Sequence, residues 1–305
     1  YNQFNPAYYS LGSALNQSVT NPMAGKGGSI NLLNAGTATI ARSQLLSPYP
    51  EFSSVTINSN PTGKAMYHAL YFKAQRRFSQ GMTLLASYTW SQAKDNLFGA
   101  TGNTFNSAPT GPQNVYDLNA EYALSASNAP HKLSLSGTYE LPFGKNKGKL
   151  MSAAIGGWSI NITGMLQSGY PLSVTQPNNN SVIGTNHQRP NATGLSPAVD
   201  ASFEKRIDGW LNPSAFALAP QYTFGNLSRT FGMRGPGTAN FDLSVFKTFS
   251  VTEKIKTQFR AESLNVTNTP QFNGPNTTFT SSSFGLITSQ ANYPRLIQIG
   301  LRIFL

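Results

Sequence analysis

The sequence predicts an all-β chain, an antiparallel transmembrane β-barrel with long extracellular loops. Three observations predict it. Apolar and polar residues alternate over stretches of about ten residues or more, the length a tilted strand needs to cross a bilayer. The connections between these stretches are short and long by turns, as the periplasmic turns and extracellular loops of outer-membrane barrels are. Only 11% of the 305 residues are charged, against 39% hydrophobic. Soluble domains carry roughly 25% charged residues, because a surface in water needs them to stay dispersed.

Residues 1–63, with Pro, Gly and Asn throughout, read as an extracellular loop continuing from an upstream strand, and residues 64–305 as the transmembrane strands. In the first strand Met66, His68, Leu70, Phe72, Ala74 and Phe78 alternate with Tyr67, Ala69, Tyr71, Lys73, Gln75 and Arg77. This period of two gives a strand one apolar face. After a tight turn at Ser79-Gln80-Gly81, Met82, Leu84, Ala86, Tyr88 and Trp90 share a face opposite Thr83, Ser87, Thr89 and Ser91. Leu133, Leu135, Gly137, Tyr139 and Leu141 then oppose Lys132, Ser134, Ser136, Thr138 and Glu140. Trp158, Ile160, Ile162, Gly164 and Leu166 oppose Ser159, Asn161, Thr163, Met165 and Gln167. Phe241, Leu243, Val245 and Phe249 oppose Asn240, Asp242, Ser244 and Thr248. Ile255, Thr257, Phe259 and Ala261 oppose Lys256, Gln258, Arg260 and Glu262. In the last strand Ile297, Ile299, Leu301, Ile303 and Leu305 oppose Gln298, Gly300, Arg302 and Phe304.

Ser79–Gly81, Pro142–Ile155 and Ser250–Lys254 are the short connections; Asp95–Ala129, Pro171–Gly237 and Asn268–Tyr293 are the long ones. Tyr88 and Trp90 close a strand just before a long loop, as Tyr170 does, while Phe78, Phe143 and Phe249 flank short turns, the two aromatic girdles of a barrel. Arg76 is the one charge on the first strand's apolar face, and it lies beside a short turn, where headgroups are within reach. This reading makes Leu301→Arg disruptive and Ser87→Arg tolerated. About seven strands are counted, whereas a single-chain bacterial barrel has an even number and no open edge in lipid. The sequence therefore predicts part of a larger barrel.

The formal net charge of +11 raises nucleic-acid binding. The basic residues stand singly, however, and the densest group, Lys145, Lys147 and Lys149, lies in a Gly-rich turn. Nucleic acid is not an expected partner. Outer-membrane lipid is, and the predicted location is the bacterial outer membrane. His68, His131 and His187 lack ligand spacing, there is no cysteine, and Gly25-Lys26-Gly27-Gly28 lacks the frame of a phosphate loop. No metal, cofactor or catalytic residue is expected, and the protein is not read as an enzyme.

Four stretches carry a resemblance to a known family. They are Tyr67–Asp95 (YHALYFKAQRRFSQGMTLLASYTWSQAKD), Ser127–Lys147 (SNAPHKLSLSGTYELPFGKNK), Gly156–Val174 (GGWSINITGMLQSGYPLSV) and Phe259–Phe272 (FRAESLNVTNTPQF). They resemble the C-terminal barrel region of Oar-like TonB-dependent receptors, and the similarity covers essentially the whole chain. The resemblance implies a barrel of about 22 strands, with a plug and an energy-coupling segment N-terminal to this region. It also implies a TonB system acting through that N-terminal part, the barrel assembly machinery as a partner, and an unidentified solute as cargo.

Lys73, Arg77, Lys132, Glu140, Asp242, Lys256, Arg260, Glu262 and Arg302 are the candidate lumen-facing residues. They are expected to pair across strands and to contact a plug, or alternatively to form a mildly basic path for anionic solutes. The loop segments Tyr222–Asn226 and Phe231–Arg234 suit either ligand contact or closure of the barrel mouth. The leading expectation is energy-coupled solute transport. A passive porin, a structural or adhesive surface protein on the same barrel, and a soluble carbohydrate-binding sandwich are the alternatives.

Overall fold

The computed structural model describes residues 2–26, 35–52, 55–56, 61–98, 111–144, 148–176, 187–252 and 255–304. Expectations that fall on Gly27, Gly28, Lys145, Lys147, Lys254 and Leu305 lie outside the described residues. Seven long strands form one antiparallel meander in chain order: β1 (Ala65–Ser79), β2 (Met82–Asp95), β3 (His131–Glu140), β4 (Trp158–Gln167), β5 (Thr238–Ser250), β6 (Lys256–Leu264) and β7 (Leu296–Phe304). A two-residue strand, Ala123–Leu124, extends the sheet beside the end of β2. The shortest long strands have nine residues and the longest fifteen, at or above the ~9–11 a tilted strand needs to cross a bilayer. β1 and β7 are not paired with each other, so the sheet is open. Among the described residues no helix is long and apolar enough to cross a membrane, a finding that says nothing about strands.

The register aligns the apolar residues into rows. Leu84 pairs with Gly137, which pairs with Ile162, then Leu243, then Ser263, then Ile297. The next row toward the short turns runs Ile160, Val245, Ala261 and Ile299. Phe241 is paired with Gly164 and covers it, since a Cβ there would lie 2.6 Å from the Phe241 ring. Glycine thus gives an aromatic ring room to lie flat on the sheet, a cross-strand pairing that stabilises β-structure.

These apolar rows do not face a protein core. Leu84 is 38% exposed, Ile162 39% and Ile299 69%. A soluble sandwich buries the inward face of its strands. Here the buried hydrophobic cluster comes instead from the long connections: Leu172, Val174, Trp210, Leu211, Phe216 and Ile287 belong to it. Phe216 stands at its centre, with the rings of Phe231, Phe279 and Phe284 at 5.6–6.0 Å.

Three details differ from the sequence reading. Strict alternation in β1 stops at Arg76, because a register shift between Arg76 and Ser79 sets Ser79 opposite Met82. Such a bulge raises the local twist, and here it leads into a two-residue turn in which Gln80 (φ 53°) and Gly81 (φ 79°) both have positive φ. This is the hairpin turn whose twist matches the strands it joins. Second, Tyr88 and Trp90 do not close β2. The strand runs on to Asp95 because Ser91–Asp95 pair with Ala65–Ala69 and, at the end, with Ala123–Leu124. Third, the connection Pro142–Ile155 is not a plain turn, since Lys149–Ile155 form a helix. Leu150, Met151, Ala153 and Ala154 favour one, and the Gly156-Gly157 pair, with Gly157 at φ 73°, stops it.

That helix explains a charge the alternation leaves on the apolar face. Lys247 shares a row with Trp158, Phe259 and Leu301. Its Nζ donates to the carbonyls of Ala154 at 2.7 Å and Gly156 at 3.2 Å and lies 4.9 Å from the Trp158 ring centre. The stem covers apolar surface while the ammonium finds carbonyls that a helix end leaves free.

Candidate functional site: the cap of long connections and the polar face

The three long connections fold together at one end of the sheet into a cap. Gln113 is a hub of their polar contacts. Its backbone N–H donates to Glu121 Oε1 at 2.9 Å, its Nε2 donates to the Gly225 carbonyl at 2.9 Å, and its Oε1 accepts from the Arg189 backbone at 2.8 Å. Arg189 donates from its side chain to Glu121 Oε2 at 2.7 Å and to the Leu227 carbonyl at 2.7 Å. Arg229 donates to Asp95 Oδ1 and to the backbone carbonyls of Asp95, Leu97 and Glu121. Both guanidinium–carboxylate pairs are almost sealed from solvent, with side-chain exposures of 5% and 1% for Arg189 and Glu121 and of 1% and 13% for Arg229 and Asp95. In a poorly polarisable interior an unpaired charge is costly, so these pairs fix which strand end meets which loop.

The N-terminal segment docks onto the same cap. It carries a 3₁₀ stretch at Pro6–Asn16 and a small ladder of Ser18–Thr20 with Thr39–Ala41. Gln3 is its anchor: its Nε2 donates to the Gln113 carbonyl, its Oε1 accepts from Val115 N, and its own carbonyl accepts from Tyr116 Oη. Tyr9 packs edge-on against Phe224, and burial pushes its phenol pKa well above the ordinary tyrosine value. Burial likewise lowers the pKa of His187, although nearby Glu121 acts in the other direction. The loop segments Tyr222–Asn226 and Phe231–Arg234 build this cap: Phe231 and Met233 lie on its apolar cluster, and Gly225 is bonded to Gln113.

The nine candidate polar-face residues fall as follows. Lys73 shares a row with Ser87, Ser134, Met165 and Asn240. Lys132 lies in the row Thr89–Lys132–Gln167–Thr238, and Asp242 in the row Ser136–Thr163–Asp242. Glu140, Arg260 and Gly300 share a row through Ser159 and Phe246. Glu262 pairs with Ser244 and Gln298, Arg302 with Gln258, and Lys256 with Ser250 and Phe304. Arg77 falls in the irregular stretch of β1. Charge pairing across strands is the expectation, but among the described residues the ion pair on this face is within one strand, Arg260 to Glu262 at 3.0 Å. Asp242 accepts instead from Asn240 Nδ2 at 3.1 Å and from the Asn265 backbone at 2.8 Å. Lys73 and Lys132 have no carboxylate within 4 Å among the described residues.

Just below the cap, Asn128 separates two recesses. One, of about 610 Å³, is lined by Leu70, Trp90, Leu124 and Arg234; the other, of about 330 Å³, by Tyr67, Thr89, Lys132 and Tyr170. Sequence reasoning placed Arg234 in a loop segment suited to ligand contact or closure of the mouth, and missed Glu121, Asn128, Arg189 and Arg229. Each is a lone polar residue in a Gly-, Asn- and Ser-rich loop, with no periodicity to reveal that it turns inward.

Long amphipathic strands, short turns at one end, a folded cap at the other and an apolar face left uncovered define an integral β-sheet membrane protein. Residues 2–298 match the family model of the outer membrane beta barrel domain, and the chain belongs to that family. Its location is therefore the bacterial outer membrane. No curated protein and no solved structure matches the chain.

Proposed function

We propose that this chain supplies wall, lumen lining and surface loops to a TonB-dependent outer-membrane transporter of the Oar-like type. The observation that carries the reading is the open sheet: among the described residues, seven membrane-length strands leave β1 and β7 each with one edge unpaired. Unpaired backbone N–H and C=O groups are not tolerated in hydrocarbon, so the wall continues into further strands, and a barrel wider than about eight strands encloses a lumen. The four stretches that resemble Oar-like receptors support the particular type. In this reading a plug fills the lumen, TonB delivers the energy, the barrel assembly machinery inserts the strands, and the protein catalyses no reaction.

A second reading has one observation in its favour. The cap has its own apolar cluster and buried ion pairs, the kind of rigid surface that an adhesive or structural protein displays. Uptake assays decide between these readings. Cells expressing the protein are offered a mixture of labelled solutes with TonB present and with TonB deleted. Energy-coupled transport predicts accumulation of at least one solute that disappears with TonB. Accumulation that persists without TonB indicates a passive pore, and no accumulation combined with a loss of surface attachment on deleting the protein indicates an adhesin.

A further inference from the structure

We propose that the smaller recess below the cap, between Asn128 and Lys132, is a binding site for a carboxylate-bearing sugar. This deepens the transporter reading and rests on it, because it takes the polar face of the sheet to line the interior of the barrel rather than to face lipid.

The recess offers donors and lacks acceptors of opposite charge. Among the described residues no Asp or Glu lines it. Lys132 is exposed on the polar face with no carboxylate within 4 Å among the described residues. Asn128 is only 2% exposed, and its Nδ2 is buried without a hydrogen-bond partner among the described residues. The amide cannot simply be turned over. Its Oδ1 accepts from the Arg234 guanidinium at 2.5 Å, and its backbone carbonyl accepts from the same group at 2.7 Å. A flipped amide would set its NH₂ against the guanidinium, two donors face to face. Nδ2 is therefore held as a donor with nothing to receive it, and a buried donor in that state calls for an explanation.

Arg234 adds to the bias. Among the described residues its guanidinium bonds only to the neutral oxygens of Asn128 and Gly169, with no carboxylate to compensate its charge, and burial lowers its pKa from the ordinary arginine value. Lys132 on one side and Arg234 on the other give the neighbourhood of Asn128 a positive field. The ligand that completes it brings acceptors and negative charge. Tyr67 and Tyr170 add ring faces, against which the C–H face of a pyranose packs, and hydroxyls for its oxygens. The volume of about 330 Å³ suits one or two sugar rings. A carboxylate on Lys132 then makes the charge-assisted bond that fixes orientation.

The test measures binding rather than uptake, on the intact protein purified in detergent from outer membranes. D-glucuronate and D-glucose are titrated in parallel and read by saturation-transfer NMR and calorimetry. Glucuronate should bind about tenfold or more tightly than glucose, the difference one charge-assisted contact provides. Lys132→Gln should remove that preference. Asn128→Asp keeps an oxygen for Arg234 but replaces the orphan donor with an acceptor, so it should also weaken glucuronate binding by about tenfold or more while raising the thermal unfolding temperature. Lys205→Gln, exposed on the short helix Phe203–Arg206, should leave binding unchanged. Equal affinity for the two sugars, or wild-type glucuronate affinity in Lys132→Gln, overturns the site. Glucuronate binding in a protein that moves no solute would keep the site and remove the transporter reading.

Discussion

Replacing Arg229 with alanine should loosen the whole cap, at a cost of about 3–5 kcal/mol, the usual penalty for removing one partner of a buried ion pair. The guanidinium is 1% exposed and reaches Asp95 at the end of β2, Leu97 just beyond it, and Glu121 further along the same connection. Its loss leaves the Asp95 carboxylate and three backbone carbonyls facing a void. Asp95 is also the last residue of the strand, so the change frees the point where the loop joins the wall. The expected result is selective: protease cleavage of the connection 96–130 and of 168–237 should accelerate by roughly a hundredfold or more. The strands, held by their ladders, should keep their resistance to heat and detergent. Adding Asp95→Asn should restore part of the loss, because the stranded charge is removed. Wild-type cleavage rates in Arg229→Ala would show that the cap owes its stability to its apolar cluster alone.

The second large effect concerns the wall. Ile299→Arg should cost about 2–4 kcal/mol, and Ser87→Arg close to nothing. Ile299 stands near the middle of β7, in the row with Ile160, Val245 and Ala261. An arginine there meets hydrocarbon on every side. Ser87 lies in the polar row with Lys73 and Ser134, where a guanidinium remains in water. Leu301→Arg, disruptive by sequence reasoning, should be milder than Ile299→Arg. Leu301 shares its row with Lys247 and Trp158, one step closer to the short turns, where a long cationic side chain already reaches carbonyls. The folded fraction recovered from outer membranes, and the urea midpoint of each variant, give the order. Equal losses for Ile299→Arg and Ser87→Arg would contradict the assignment of faces.

How much of this was legible follows from what carries each feature. The strands and the division of their faces were readable because both depend on a period of two along the chain. The helix at Lys149–Ile155 escaped notice because a seven-residue stretch yields too few repeats for a helical period to stand out. The bulge before Gln80 was hidden for a similar reason, since one extra residue shifts only the last turn of an otherwise regular alternation. The cap was illegible. Glu121 and Arg189 are 68 residues apart in sequence, and Asp95 and Arg229 are 134 apart. Single charges in low-charge loops look like solvated side chains until the fold brings them together. Asn128 illustrates the limit most clearly, since only the position of Arg234, 106 residues away, reveals which atom of its amide is left without a partner.

The central claim, that alternate side chains along these strands face lipid, is most directly tested by spin labelling. The sequence contains no cysteine, so single cysteines at Leu84, Ile162 and Ile299, and at Ser87, Thr163 and Gln298, can be labelled without background. Accessibility to oxygen and to a water-soluble nickel complex is then read in a lipid bilayer. The first three labels should be open to oxygen and closed to nickel, and the second three should show a markedly higher nickel accessibility. Nickel accessibility that fails to alternate between the two sets would contradict the account.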